Sequence, residues 1–408
     1  MGMVKRGQSR WEVEDHLSEL AALAQTSGAD IIHTFVQERL APDPAFFIGK
    51  GKIEEIADFI EVNDIDLLVF DDELSPAQVR NIENVTKIKV IDRTALILDI
   101  FALHARTNMA KVQVELAQLN YYLPRLTRQW QHLSRQVGGI GTKGPGETQL
   151  ETDRRLVRQR ISHLKEKLEK IAHQNQVQRQ QRKELFRAAL IGYTNAGKST
   201  LMNALTNARV LIEDQLFATL DTTVRRLQLN PTTTILLSDT VGFIRKLPHH
   251  LVASFQTTLS EAIEADLLIH VVDVTHPHFE AHVETVNQIL NELKIEDKKR
   301  LLVFNKVDRL KNHNILDQLR LLHPEALFIS AARHIGLQRL RDRLLSLAED
   351  QYEVEQIRLN YQRGAAEHLI YPLAKILEKS SDDQYLYLTI KYDKANKSKI
   401  SQITAKYR

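Results

Sequence analysis

The octapeptide Gly192-Tyr193-Thr194-Asn195-Ala196-Gly197-Lys198-Ser199 sets two glycines, a lysine and a hydroxyl at the spacing that grips a nucleoside triphosphate. Backbone N–H groups of such a loop point at the phosphates, the Lys198 amine reaches the β- and γ-oxygens, and the Ser199 hydroxyl coordinates Mg²⁺. The apolar run Ala188 to Ile191 predicts a buried strand before the loop, and Thr200 to Leu205 the opening of a helix after it. That context matters, because a helix N-terminus favours an anion.

Three further segments follow in the order a guanine-nucleotide site needs. Asp239-Thr240-Val241-Gly242 closes the apolar strand Thr234 to Leu237. Its carboxylate is placed to reach the Mg²⁺ shell, and the Gly242 N–H to meet a γ-phosphate. Asn305-Lys306-Val307-Asp308 closes the strand Arg300 to Phe304. The Asp308 carboxylate accepts from both N1–H and the N2 amine of guanine, a donor pair that adenine lacks, so this element selects GTP over ATP. Ser330-Ala331-Ala332 ends the strand Ala326 to Ile329, where a backbone N–H meets the guanine O6. Each motif sits at the carboxyl end of an expected strand, where open α/β sheets bind ligands.

Leu216-Phe217-Ala218-Thr219-Leu220-Asp221-Thr222-Thr223 lies between the phosphate loop and Asp239, as a first switch would. A threonine hydroxyl there completes the Mg²⁺ shell only when γ-phosphate is present. Thr219, Thr222 and Thr223 all qualify, and spacing does not separate them. Position 243 is Phe, where many small GTPases carry the glutamine that orients the attacking water. Slow intrinsic hydrolysis, accelerated by a partner surface, is therefore expected. Asn195 is a candidate for holding K⁺ against the phosphates; the plainer role is to satisfy the loop backbone.

The elements that position these residues span 408 residues with no cysteine, which excludes disulfides and thiolate metal sites. No apolar run approaches the roughly 18 to 20 residues that span a bilayer, and the N-terminus lacks an apolar signal region. The expectation is a soluble cytoplasmic monomer, with at most peripheral membrane association. Formal net charge is only +3, but its placement is uneven.

Four parts are expected: an N-terminal α/β domain over 1–107, a helical hairpin with linker over 108–183, a P-loop GTPase domain over 184–349 and a small C-terminal α/β appendage over 350–408. In the first, Asp30 to Val36, Asp66 to Phe70 and Lys87 to Ile91 read as strands, and Ile53 to Val62 and Ser75 to Asn84 as helices, giving a small, mostly parallel sheet. Phe47 to Lys52 is a glycine-lysine turn opening a helix. It is a candidate phosphate contact, but no second complete phosphate loop stands there. In the last part, Val354 to Leu359 and Tyr385 to Tyr392 read as strands and Ala365 to Leu377 as a helix.

Val112, Leu116, Leu119, Leu123 and Leu126 recur at alternating steps of four and three, as do Val157, Ile161, Leu164, Leu168 and Ile171. These are two seam-forming helices, which fold back most simply as an antiparallel hairpin. Pro124 is expected to kink the first. Between them lies the glycine-rich stretch Gly138 to Gly146. Around that tip stand Arg128, Trp130, Arg135, Lys143, Arg154 and Arg155, a set suited to phosphate contact and stacking against structured RNA. A solvated helical surface is the alternative reading.

Taken together, these segments resemble the HflX GTPases over nearly the whole chain. The most specific are Gly138 to Arg155, Gly192 to Thr200, Phe217 to Asp221 and Asp239 to His249. The resemblance implies a GTPase that binds the large (50S) ribosomal subunit, contacts 23S rRNA through the hairpin, and splits stalled or idle ribosomes in its GTP state. It also places Mg²⁺ on Ser199 and Thr219. One departure is Asp221-Thr222-Thr223, where family members often have Asp-Pro-Thr.

Overall fold

The computed structural model describes residues 1–126, 149–180, 185–206, 216–217, 222–246, 256–310, 314–360, 367–382 and 384–407. They form two compact units, one of residues 1–225 and 236–335, the other of 226–235 and 336–408.

The first unit begins with β1 (Gly2–Val4), α1 (Arg10–Thr26), β2 (Val36–Glu38), α2 (Lys50–Asn63), β3 (Leu67–Phe70), α3 (Pro76–Thr86), β4 (Lys89–Asp92) and α4 (Arg93–His104). Helix starts follow from capping chemistry. Ser9 and Glu12 form a reciprocal capping box on α1, and Ser75 and Gln78 do the same on α3 behind Pro76. Asp92 caps α4 by accepting from the Ala95 N–H at 2.9 Å. The strands form two parallel pairs, β1 with β2 and β3 with β4, rather than one named sheet. The Met1 carbonyl, accepting from the Asp71 N–H at 3.0 Å, links them. Residues 30–35, expected as strand, carry no regular structure, and β2 starts only at Val36.

Next come α5 (Asn108–Tyr122) and α6 (Gln149–Gln180). Their seams meet as the heptad spacing predicts: Val112 and Leu116 bury against Ile161 and Leu164, with Leu119, Leu123, Val157 and Leu168 alongside. Pro124 does not kink α5. It lies in a 3₁₀ turn, Leu123–Arg125, after the helix has ended, because its ring removes the amide that another helical turn needs.

A six-stranded sheet follows along the chain. Its strands are β5 (Arg187–Ile191), β6 (Thr223–Gln228), β7 (Thr234–Asp239), β8 (Leu267–Asp273), β9 (Arg300–Asn305) and β10 (Leu327–Phe328), in the spatial order β10-β9-β8-β5-β7-β6. Strand β5 pairs in parallel with both β7 and β8, so the chain runs to one side of it and then the other. That reversal opens a crevice at the carboxyl end of β5. Helices α7 (Lys198–Thr206), α8 (Gln256–Glu264), α9 (Phe279–Glu292) and α10 (Asn314–Leu322) accompany the sheet. Ala189, Ile191 and Leu268 pack with Leu259, Val286 and Ile289 in one core, and Val272 and Phe304 with Leu319 in another.

The second unit holds α11 (Leu337–Glu349), β11 (Tyr352–Asn360), α12 (Glu367–Ile370), β12 (Ala374–Ser381), β13 (Tyr385–Asp393) and α13 (Lys397–Tyr407). Its sheet, ordered β11-β13-β12, is wholly antiparallel, which makes this part α+β. Of the helix expected over Ala365 to Leu377, the described residues are helical only over α12. Tyr371 precedes Pro372, which disfavours a helical residue there, and from Ala374 the chain pairs with β13 instead. No helix among the described residues is long and apolar enough to cross a membrane.

Candidate guanine-nucleotide site

The carboxyl end of β5 turns into the phosphate loop, and the loop runs into α7. At its apex Asn195 is exposed and left-handed, with φ 57°. Gly197 has φ 93°, and a Cβ there would lie 2.3 Å from the Asn305 side-chain nitrogen, so nothing larger fits. Lys198 is buried, and its Nζ donates to the carbonyls of Gly192 at 3.1 Å and Tyr193 at 2.7 Å. Burial lowers its pKa to about 8; Asp239 opposes the shift and Lys306 adds to it.

From β7 comes Asp239, whose Oδ2 accepts from the Ser199 hydroxyl at 2.5 Å. Burial pushes this carboxyl up despite Lys198 beside it, and its Oδ1 has no hydrogen-bond partner among the described residues. The Thr194 Oγ1 is likewise buried without one. Thr240 donates from its hydroxyl to Leu190 O at 2.7 Å, and Val241 is buried. Gly242 lies directly against the loop: a Cβ on it would stand 2.8 Å from Thr194 Cα and 3.0 Å from Lys198 Nζ. The Phe243 ring is buried in the sheet's core, as its apolar chemistry dictates.

On the base side, Asn305 bonds in two directions. Its amide donates to Ala196 O at 2.9 Å, and its oxygen accepts from the Ala331 N–H at 3.0 Å. One buried side chain thus fixes the phosphate loop against the segment Ser330 to Ala332. Lys306 is left-handed, with φ 65°, and its amine pairs with Asp273 at 2.7 Å. The turn Val307–Arg309 then carries Asp308 exposed at its surface. Ser330 and Ala331 are buried, and Ala332 is exposed. Replacing Asn305 by Ala strands a buried carbonyl and a buried N–H together, so a loss of about 1–3 kcal/mol in stability is expected, read from the urea midpoint of the nucleotide-free protein.

The structure therefore brings the phosphate loop together with Asp239 and Gly242 on one side and, through Asn305, with Ala331 on the other. Phe217 is buried, its ring edge-on to Phe101 at 4.7 Å. Ala218, Thr219, Leu220 and Asp221 lie outside the described residues, as do Arg128, Arg135 and Lys143. Arg154 and Arg155 stand on the first turns of α6. At the other glycine-lysine turn, the Gly49 N–H bonds Gln37 at 2.8 Å and Lys52 pairs with Glu55 at 2.6 Å, so those groups are already engaged within the protein. Asp273 escaped sequence reasoning, although its place at the end of β8 was a usable signal.

Hydroxyl and carboxylate oxygens suit Mg²⁺, which keeps waters and uses few protein ligands beside phosphate. The Ser199–Asp239 pair with its unpartnered Oδ1 fits that requirement. Among the described residues no cluster of three or more His, Cys, Asp or Glu side chains offers an alternative metal cage.

Three family models match in series: GTP-binding GTPase N-terminal over 14–102, GTP-binding GTPase Middle Region over 104–182, and 50S ribosome-binding GTPase over 187–306. The GTPase HflX of Caldanaerobacter subterraneus is 44% identical over 91% of this chain and 86% of its own length. This chain belongs to the HflX family of GTPases. The Escherichia coli member is 44% identical, covering 90% of this chain and 86% of its own, and the Flavobacterium psychrophilum member is 52% identical, covering 77% and 76%. A GTP-binding protein from Sulfolobus solfataricus, solved with GDP, is 27% identical over 86% of this chain and 98% of its own, with a TM-score of 0.45. As a family member, the protein binds and hydrolyses GTP.

Proposed function

We propose that this GTPase is a nucleotide-gated switch for the large (50S) ribosomal subunit, and that in its GTP state it splits stalled or idle 70S ribosomes. The observation that carries the nucleotide part is the convergence of Lys198, Ser199, Asp239 and Gly242 within hydrogen-bond or van der Waals reach of one another.

In this reading Gly192 to Ser199 wrap the phosphates, Lys198 binds the β- and γ-oxygens, and the Gly242 N–H meets the γ-phosphate. Asp308 and Ala331 read guanine. Ser199 and Thr219 would hold Mg²⁺ with help from Asp239, and the ion would supply charge neutralisation at the phosphates. Lys198 stabilises the same charge from the other side. Phe243 has no group that orients water, so a ribosomal surface has to supply that function, with K⁺ beside Asn195 as a further source of positive charge. Arg128, Arg135, Lys143, Arg154 and Arg155 contact 23S rRNA from the hairpin, and the protein acts in the cytoplasm as a monomer. The proposed division into parts is 1–107, 108–183, 184–349 and 350–408.

The deciding experiment is the GTP turnover rate in Mg²⁺ with K⁺ or Na⁺, with and without purified large subunits, for the parent and Thr219→Ala. The expected result is a low basal rate, strong stimulation by the subunit, a further loss when Na⁺ replaces K⁺, and a variant that binds GTP yet does not turn it over. A rate indifferent to ribosomes would reject the partner. Equal rates in the two salts would reject the K⁺ role.

A further inference from the structure

Tyr193 belongs to the phosphate loop, yet its side chain serves a different set of contacts. The ring lies flat on His282 of α9, centroids 3.7 Å apart and planes 5° from parallel. Its hydroxyl donates to Glu19 Oε1 of α1 at 2.7 Å and accepts from the Arg245 backbone N–H at 3.0 Å. Burial and then Glu19 keep the phenol protonated, so it remains the donor in that first bond. Glu19 is itself fixed by the buried Arg93 at 3.0 Å.

Arg245 lies three residues beyond Gly242, on the segment that must answer to a γ-phosphate. That segment is held from two sides. Against the phosphate loop, the Phe243 N–H donates to Gly192 O at 3.1 Å and the Thr194 N–H to Phe243 O at 2.8 Å. Away from it, the Arg245 guanidinium donates to Asp15 at 2.7 Å, and Lys246 pairs with Asp71 and Asp72. The Tyr193 hydroxyl joins the two sets, since it sits on the loop and bonds both the segment and α1.

The arrangement has a consequence for nucleotide. The Thr194 amide is spent on Phe243, Lys198 is spent on loop carbonyls, and Gly242 packs against both. A γ-phosphate at Lys198 therefore requires the segment to move, whereas GDP makes no such demand on Gly242. We infer that Tyr193 is a positioning residue for nucleotide discrimination: its hydroxyl holds the segment after Gly242 in place, so that GTP binding, but not GDP binding, has to work against its bonds. This rests on the reading of Gly242 as the γ-phosphate contact.

The test is titration of full-length Tyr193→Phe with GDP and with a non-hydrolysable GTP analogue. Phenylalanine keeps the ring on His282 and removes only the hydroxyl. Two hydrogen bonds of ordinary net strength correspond to a change on the order of tenfold, so the analogue should bind about tenfold tighter while GDP stays within about twofold. Glu19→Ala, far from the phosphates, removes the acceptor of the hydroxyl's bond to α1 and should shift the ratio the same way by a smaller factor, since the bond from the Arg245 N–H remains, even where the tyrosine variant folds poorly. The double variant should gain no more than Tyr193→Phe alone, because removing the hydroxyl already removes its bond to Glu19. The urea midpoint is followed alongside, since a residue that only packs would move stability and leave the ratio alone. A parent that binds both nucleotides, with an unchanged ratio in both single variants, overturns the inference alone. Additive effects of the two substitutions overturn it as well. A parent that binds neither nucleotide overturns the site reading and the inference with it.

Discussion

Lys198→Ala is expected to weaken GTP binding by about 30-fold to several thousand-fold while leaving the free protein folded. The amine is buried, and a phosphate arriving there meets a charge already stripped of water, so the interaction is far stronger than an exposed ion pair. Truncating one partner of a buried, hydrogen-bonded charge pair costs roughly 2–5 kcal/mol, or about 30-fold to several thousand-fold in affinity. In the free protein the same burial acts in the opposite direction. The folded-state pKa is lowered to about 8 from 10.5, so the charged amine opposes folding. That penalty is full below about pH 8 and fades as pH rises toward 10.5. Its removal at neutral pH offsets part of the packing lost with the side chain. Thermal unfolding with and without GTP checks both halves at once: the parent should gain stability with ligand concentration, and the variant should need at least about 30-fold more GTP for the same gain. A variant that shows the same shift as the parent at the same GTP concentrations would remove Lys198 from the site.

How much of this was legible in the sequence depended on whether the information was local. The phosphate loop, Asp239 to Gly242 and Asn305 to Asp308 each end a short apolar strand, and the crevice that gathers them is where a parallel sheet reverses direction. Spacing also carried the seam between α5 and α6, because heptad steps leave one stripe per helix to bury. Helix α4 was not read, since Ala95 to Phe101 are apolar nearly all round and leave no amphipathic stripe. Helix α1 carried a usable signal in Ser9 and Glu12 that went unread. Strand β12 was mistaken for helix because Ala374-Lys-Ile-Leu-Glu suits either period, and only pairing with β13 decides it. The contacts of Tyr193 had no local trace at all. Glu19 is 174 positions away, and no spacing rule connects the two.

The proposed base-recognition element yields the second large effect. Asp308 projects from a turn held by the Asn305 hydrogen bonds and the Lys306–Asp273 pair, and it is exposed, so its replacement leaves the fold intact. Its carboxylate offers two acceptors to the two donors on the guanine edge. An asparagine amide offers one acceptor and one donor, which leaves the N2 amine facing an NH₂ group. Sites that read a base by hydrogen bonding reject a mismatched partner strongly, because buried polar groups go unpaired. Xanthine keeps N1–H but carries a carbonyl at C2, the complement of an amide. Asp308→Asn should therefore lower GTP affinity on the order of 10³-fold and reverse the preference, so that xanthosine triphosphate competes better than GTP. Competition of GTP, xanthosine triphosphate and ATP against labelled GDP, in parent and variant, measures this directly. The phosphates are common to all three nucleotides, so an equal loss for all of them would mean that Asp308 supports the loop rather than reading the base. A reversed order between guanine and xanthine, with ATP still excluded, assigns the carboxylate to the base edge.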